Sequence, residues 1–154
     1  MSAMTGPITG FRSTVFSNFV DVPGGVRLDG DEHVYPTVEH AYQAAKTLDP
    51  ERRAKVRALP TANKAKHAGR RLAIRPDWEE VKVEVMRGLL RQKFAPGTHY
   101  ADFLLETGTR ELIEVNTWGD RFWGECPRGV GENHLGKLLM EVRAELQKLT
   151  LAVP

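Results

Sequence analysis

The chain has 154 residues, 41% hydrophobic and 27% charged, with a net charge of +2, a balance that excludes wholesale disorder and suits one domain. One cysteine, Cys126, excludes an internal disulfide and an all-cysteine metal site. No apolar run approaches the ~20 residues of a membrane span, and the opening MSAMTGPITG lacks the basic start and apolar stretch of a secretory signal, so a cytoplasmic protein away from membranes is expected.

Val26 and Leu28, then Val34 and Tyr35, flank Leu28-Asp29-Gly30-Asp31, whose Asp-Gly pair suits the turn of a β-hairpin. Pro36-Thr37 opens a helix: Thr37 can cap it, and the alanine-rich run 38–47 has high helix propensity. Asp49-Pro50 ends that helix and starts a second over 51–59. Thr61 caps a third, which Gly69 closes. Arg75-Pro76-Asp77 begins a long central helix reaching Phe94, with Trp78, Val81, Val85 and Leu89 at helical spacing. Ala95-Pro96-Gly97 stops it, and a shorter helix covers 98–105 before a turn at Glu106-Thr107-Gly108. Leu112, Ile113 and Val115 predict a strand ending at Asn116, and 117–131 reads as a glycine-rich loop. A last helix over 132–149 carries Leu135, Leu138, Leu139, Val142 and Leu146 on its inner face. No repeat or linker divides the chain. The expectation is a single α+β domain over 1–154, helix-rich and compact, with a small antiparallel sheet and a core at about 11–149.

On the first helix, Glu39, Gln43 and Lys46 stand at i, i+4 and i+7, within about 60° of one another. An acid beside a lysine serves proton transfer. A lysine of lowered pKa attacks a carbonyl carbon, including that of an opened sugar. On an exposed face the same stripe is only a weak ion pair. Aromatic residues gather where loops are expected: Phe16-Ser17-Asn18-Phe19, Trp118, and Phe122-Trp123-Gly124. Such rings either stack on a purine, pyrimidine or nicotinamide or plug their loop onto the core. Gly131-Glu132-Asn133 offers amide donors to an anion, or simply a cap at Asn133.

Between Glu51 and Arg75 nine basic residues meet one acid, a net +8 in that segment. It is either a patch for phosphate groups or nucleic acid or a solvated helical surface. The five histidines show no paired metal spacing, and neither a Walker loop nor Gly-x-Gly-x-x-Gly after a strand occurs. ATP-driven and dinucleotide redox chemistry of the usual kinds are disfavoured, and no cofactor or metal is expected.

Six motifs then follow in order: Phe16-Ser17-Asn18-Phe19; Glu39-His40-Ala41-Tyr42-Gln43-Ala44-Ala45-Lys46; Lys93-Phe94; Thr107-Gly108; Trp123-Gly124; and the run from Gly131-Glu132-Asn133 through Leu135-Gly136 and Met140 to Arg143. Together they resemble the NADAR (YbiA-like) family over about 11–146. The resemblance implies hydrolysis of the N-glycosidic bond of a phosphorylated ribosyl base. Two substrate classes go with it: ADP-ribosyl-guanine, including ADP-ribosylated guanine in nucleic acid, and a ribosylamino-pyrimidine phosphate of riboflavin biosynthesis. The catalytic acid then falls on Glu39 and the motif's closing lysine on Lys46, as Schiff-base nucleophile or phosphate contact. Substrate contacts fall on Ser17, Asn18, Phe19, Gln43, Trp78, Trp123, Gly124 and Asn133. Glu125-Cys126-Pro127-Arg128 stands where the family's loop is commonly glycine-rich, which bears on substrate choice. A non-catalytic binder of ADP-ribose or NAD-type ligands is the alternative, and a nucleic-acid module using the 51–75 patch is a third. Glu39 and Lys46 together on one stripe favour cleavage.

Overall fold

The computed structural model describes residues 5–152, so residues 1–4 and 153–154 of the expected domain lie outside the described residues. Among the described residues the elements are β1 (Asp21–Val26), β2 (Tyr35–Thr37), α1 (Val38–Ala44), α2 (Pro50–Arg57), α3 (Ala62–Gly69), α4 (Trp78–Lys93), α5 (His99–Glu106) and α6 (His134–Ala152). Six helices and one antiparallel strand pair make the α+β class expected from the sequence. Two compact units can be told apart, Ser17–Lys93 on one side and Met1–Phe16 with Phe94–Pro154 on the other.

In the Ser17–Lys93 unit, α1 is the buried axis. All seven of its residues are buried, and β1, β2, α2, α3 and α4 each pack on it. Small Ala41 and Ala44, both fully buried, let those neighbours approach. The stripe of Glu39 and Gln43 is therefore not on a surface helix.

Thr37 ends β2 in extended conformation and caps α1, its Oγ1 accepting from the His40 amide at 3.0 Å. The same hydroxyl lies 2.7 Å from His40 Nδ1, and Nε2 lies 2.9 Å from the Leu59 carbonyl oxygen. Both ring nitrogens of His40 have protein partners, which makes it a brace between α1 and the end of α2. Helix α1 stops at Ala44, short of the predicted Thr47, because the chain tightens there. The Lys46 and Thr47 amides bond the carbonyls three residues back, Gln43 and Ala44, at 3.1 and 3.2 Å. Arg75 N then caps the Lys46 carbonyl at 2.8 Å, and Arg53 Nε the Thr47 carbonyl at 2.7 Å.

The hairpin differs from the predicted one. Asp21 pairs with Thr37 and Val26 with Tyr35, so Pro23-Gly24-Gly25 bulges from the ladder, with both glycines at positive φ (78° and 71°). The turn at Leu28 forms, Asp31 N bonding Leu28 O at 3.1 Å. Val34 is exposed and outside the strand, because the Asp31 carboxylate accepts from both the His33 amide (2.9 Å) and the Tyr35 hydroxyl (2.7 Å) and folds 28–34 into a loop.

In the other unit, α5 packs on α6 through Leu104, Leu135, Leu138, Leu139, Val142 and Leu146, all buried. Buried Arg143 donates to Thr107 Oγ1 (2.9 Å) and the Arg110 carbonyl (2.8 Å), and Gln147 to the Gly108 carbonyl (2.9 Å), so α6 holds the turn that follows α5. The strand predicted at 112–116 is replaced by isolated bridges, Ile8–Leu112, Val115–Glu125 and Glu125–Gly131. A side chain takes the place of a partner strand: Asn133 Nδ2 donates to Leu112 O and its Oδ1 accepts from Glu114 N, each at 2.9 Å. Asn133 sits at φ 51°, a left-handed conformation, so α6 begins at His134 and not at 132. Its far end runs past the predicted Leu149 to Ala152.

Candidate functional site

Glu39 lies in the first turn of α1 and is only 7% exposed. One turn on, Gln43 Nε2 donates to Glu39 Oε1 at 2.8 Å. Gln43 is wedged against α3: a Cβ at Gly69 would fall 1.8 Å from Gln43 Oε1, so only glycine leaves room for the amide. Gln43 Oε1 has no hydrogen-bond partner. The amide is turned so that its NH2, and not its oxygen, meets the carboxylate, which keeps two acceptors apart.

Lys46 closes the stripe, half-buried, with Nζ 5.8 Å from the Tyr42 ring centroid. Burial holds its pKa below the ordinary lysine value. The Glu39 charge acts against that, and the positive charges of Arg70 and Lys82 reinforce it. Tyr42 packs in turn on buried Trp78, the ring centroids 5.1 Å apart.

The segment 17–19 is tied to the same cluster. The Asn18 carbonyl accepts from the Glu39 amide at 3.1 Å. Asn18 Nδ2 meets Met86 Sδ at 3.7 Å, while its buried Oδ1 has no hydrogen-bond partner. Ser17 Oγ accepts from Phe19 N at 3.2 Å, and the Ser17 carbonyl accepts from Lys93 Nζ at 2.7 Å. Phe19 is 40% exposed, with Lys66 Nζ 5.9 Å from its ring centroid. A chain of contacts thus brings together Ser17, Asn18, Phe19, Glu39, Gln43, Lys46 and Trp78.

The sequence reading missed three neighbours of this cluster: Gly69, Arg70 and Lys93. Lys93 left a signal as half of the Lys93-Phe94 motif, and Arg70 as one of the nine basic residues of the 51–75 run. The basic run divides by role. Arg75 is bidentate on Asp77 (2.6 and 2.9 Å), and Arg53 bonds Thr47 O with Asp31 3.8 Å away. Arg57 lies over the Tyr35 ring, and Arg70 is the member whose charge bears on Lys46.

Trp123, Gly124 and Asn133 belong to the other unit. Trp123 is half-buried, edge-on to Phe122 with centroids 4.8 Å apart, and its amide bonds Asp120 Oδ1 at 3.0 Å. Gly124 lies against main chain: a Cβ there would fall 2.3 Å from Glu114 O. The amides predicted to receive an anion at Gly131-Glu132-Asn133 are already taken. Those of Glu132, Asn133, His134 and Leu135 bond the carbonyls of Arg121, Gly124, Phe122 and Trp123 at 2.7–3.2 Å. The Asn133 side chain is likewise held on Leu112 and Glu114, so it is a brace and not a cap.

Residues 9–147 match the NADAR domain. The chain belongs to the NADAR family. N-glycosidase YbiA of Escherichia coli (strain K12) is 40% identical over 133 residues, covering 85% of this chain and 80% of YbiA. The NMR structure of the E. coli protein YbiA matches with a TM-score of 0.78 at 34% identity, over 99% of this chain and 92% of that one. A riboflavin biosynthesis protein of Vibrio vulnificus (strain YJ016) is 42% identical over 116 residues, 74% of this chain but 31% of that longer protein. The NADAR fold here contains no helix, among the described residues, long and apolar enough to cross a membrane. The described residues hold no cluster of three metal-ligating side chains.

Proposed function

We propose that this NADAR protein is an N-glycosidase that cleaves the bond between ribose C1′ and the base nitrogen of a phosphorylated ribosyl base. The observation that carries the reading is a buried carboxylate, Glu39, oriented by Gln43 and set beside a lysine of lowered pKa. The names of its relatives support it: N-glycosidase for YbiA, riboflavin biosynthesis for the Vibrio protein. The substrate is ADP-ribosyl-guanine, free or in nucleic acid, or a ribosylamino-pyrimidine phosphate.

When the C1′–N bond breaks, its electron pair leaves with the base nitrogen, which gains a proton. Positive charge builds at C1′ and the ring oxygen. The Glu39 carboxylate stabilises that charge and takes a proton from the attacking water, whose hydroxyl ends on C1′; passing that proton on to the departing base nitrogen returns Glu39 to the carboxylate. The lowered pKa of Lys46 favours a second route. Its neutral amine adds to C1′ of the ring-opened imine, expels the base as its amine, and leaves an imine that water hydrolyses to the sugar and free Lys46. Arg70 supplies positive charge for a phosphate, and the exposed ring of Phe19 supplies a face for the base.

Incubation with each substrate, followed by product analysis, tests the reading, and binding without cleavage of either returns the non-catalytic alternative. Glu39→Gln lowers kcat by about 10²–10⁴-fold, the range for a lost general acid or base, while binding persists. Full turnover by that variant removes Glu39 from the chemistry. Borohydride reduction during turnover adds the sugar mass to Lys46 if the imine route operates.

A further inference from the structure

Lys93 has no part in that chemistry, yet its placement is costly. It ends α4 at 2% exposure, in a helix whose other buried positions are Trp78, Met86, Leu89 and Leu90. An apolar residue would fill such a position without the desolvation that a buried ammonium suffers. What the lysine adds is a donor at a fixed point, Nζ, 2.7 Å from the Ser17 carbonyl. The next residue presents its own carbonyl to the Glu39 amide at 3.1 Å. That amide lies in the first turn of α1, where main-chain donors have no partner within the helix. Two successive carbonyls of the 17–18 segment are thus held, one by α4 and one by α1.

We infer that Lys93 is a positioning residue for Glu39, acting through the main chain of Ser17 and Asn18. The inference rests on the N-glycosidase reading of the same site. Lys93 fixes the segment, and the segment fixes the turn of α1 from which the carboxylate projects. Misplacing a reacting group by about an ångström is enough to cost up to ~10²-fold in rate.

Lys93→Met keeps an unbranched apolar stem as far as Cε and removes the donor. Its kcat falls at least about tenfold, its melting temperature is kept or raised, and the Glu39 amide exchanges hydrogen faster. In a Glu39→Gln background the same substitution changes the residual kcat by less than about twofold, because two residues acting through one group are not additive. Lys93→Gln, which retains an N–H donor of shorter reach, falls between the parent and Lys93→Met, and it carries the comparison if the methionine variant does not fold. Full kcat in a folded Lys93 variant overturns the inference. So does a loss that is equally large in the Glu39→Gln background. If Glu39→Gln itself keeps full activity, the reading of the site has failed. Exchange at the Glu39 amide still reports the link: no change there in the Lys93 variants overturns it.

Discussion

Gly69 contributes to the carboxylate by having no side chain. Any Cβ there meets Gln43 Oε1, and Gln43 is what turns Glu39. Gly69→Ala therefore expels the Gln43 amide, lowering both kcat and the melting temperature, with a stability loss of about 1–3 kcal/mol, as for other overpacked sites. Activity assay and thermal unfolding on the one variant check both halves. Spacing in the sequence was enough to align Glu39, Gln43 and Lys46, since helical angle depends only on residue number. It could not reveal that the stripe faces inward, because what covers a helix face comes from elsewhere in the chain. The roles of Gly69 and Lys93 were illegible for the same reason: each acts on a partner far away in sequence, Gln43 and Ser17.

At the scale of elements, the sequence located all six helices, since caps such as Thr37, Asp49, Thr61 and Thr98 are local and each bonds the amide it should. The strand at 112–116 failed because its main-chain partners are single bridges to Ile8 and Glu125, with the Asn133 amide bonding Leu112 O and Glu114 N between them, and not one continuous strand. Asn133 is thus worth more to the fold than its place at a helix start suggests. Asn133→Ala leaves Leu112 O and Glu114 N without the bonds now made at 2.9 Å each. Two such losses in a buried setting cost about 2–4 kcal/mol. Urea unfolding, with a lowered midpoint and an unchanged slope, is the measurement.

Over the whole molecule, buried titratable groups give stability a definite pH course. Burial lowers the pKa of Lys93 from 10.5 to about 7 and lowers that of Lys46 in the same direction. Between pH 7 and 10.5 the unfolded chain binds a proton at Lys93 that the folded chain does not, so stability rises with pH, with a slope of up to about 1.4 kcal/mol per pH unit for the group. Tyr35 opposes this at the top. Burial and its bond to Asp31 raise it from 10.0 to about 12, so the folded state keeps a proton there and stability falls as pH climbs past 10. At the acid end, burial pushes Asp31 up, but hydrogen bonds from Tyr35 and His33 outweigh it and hold the carboxyl at about 2. Its contribution, present above pH 3.8, is lost as pH falls through 2. Melting temperature recorded against pH rises from 7 towards 10 and then turns over, and Lys93→Met flattens the rise.

The bond from Lys93 to the Ser17 carbonyl joins the last residue of one compact unit to its first. The chain leaves that unit where it entered it. For the sequence on either side, the whole stretch counts as a closed loop, and residues gained or lost inside it leave the points of entry and exit where they were. An exposed loop such as Ala73-Ile74 is a place where length can change, since the entropy of closing a loop grows only slowly with its size. Descendants of this sequence are free to vary the length of that stretch without redirecting the chain that flanks it.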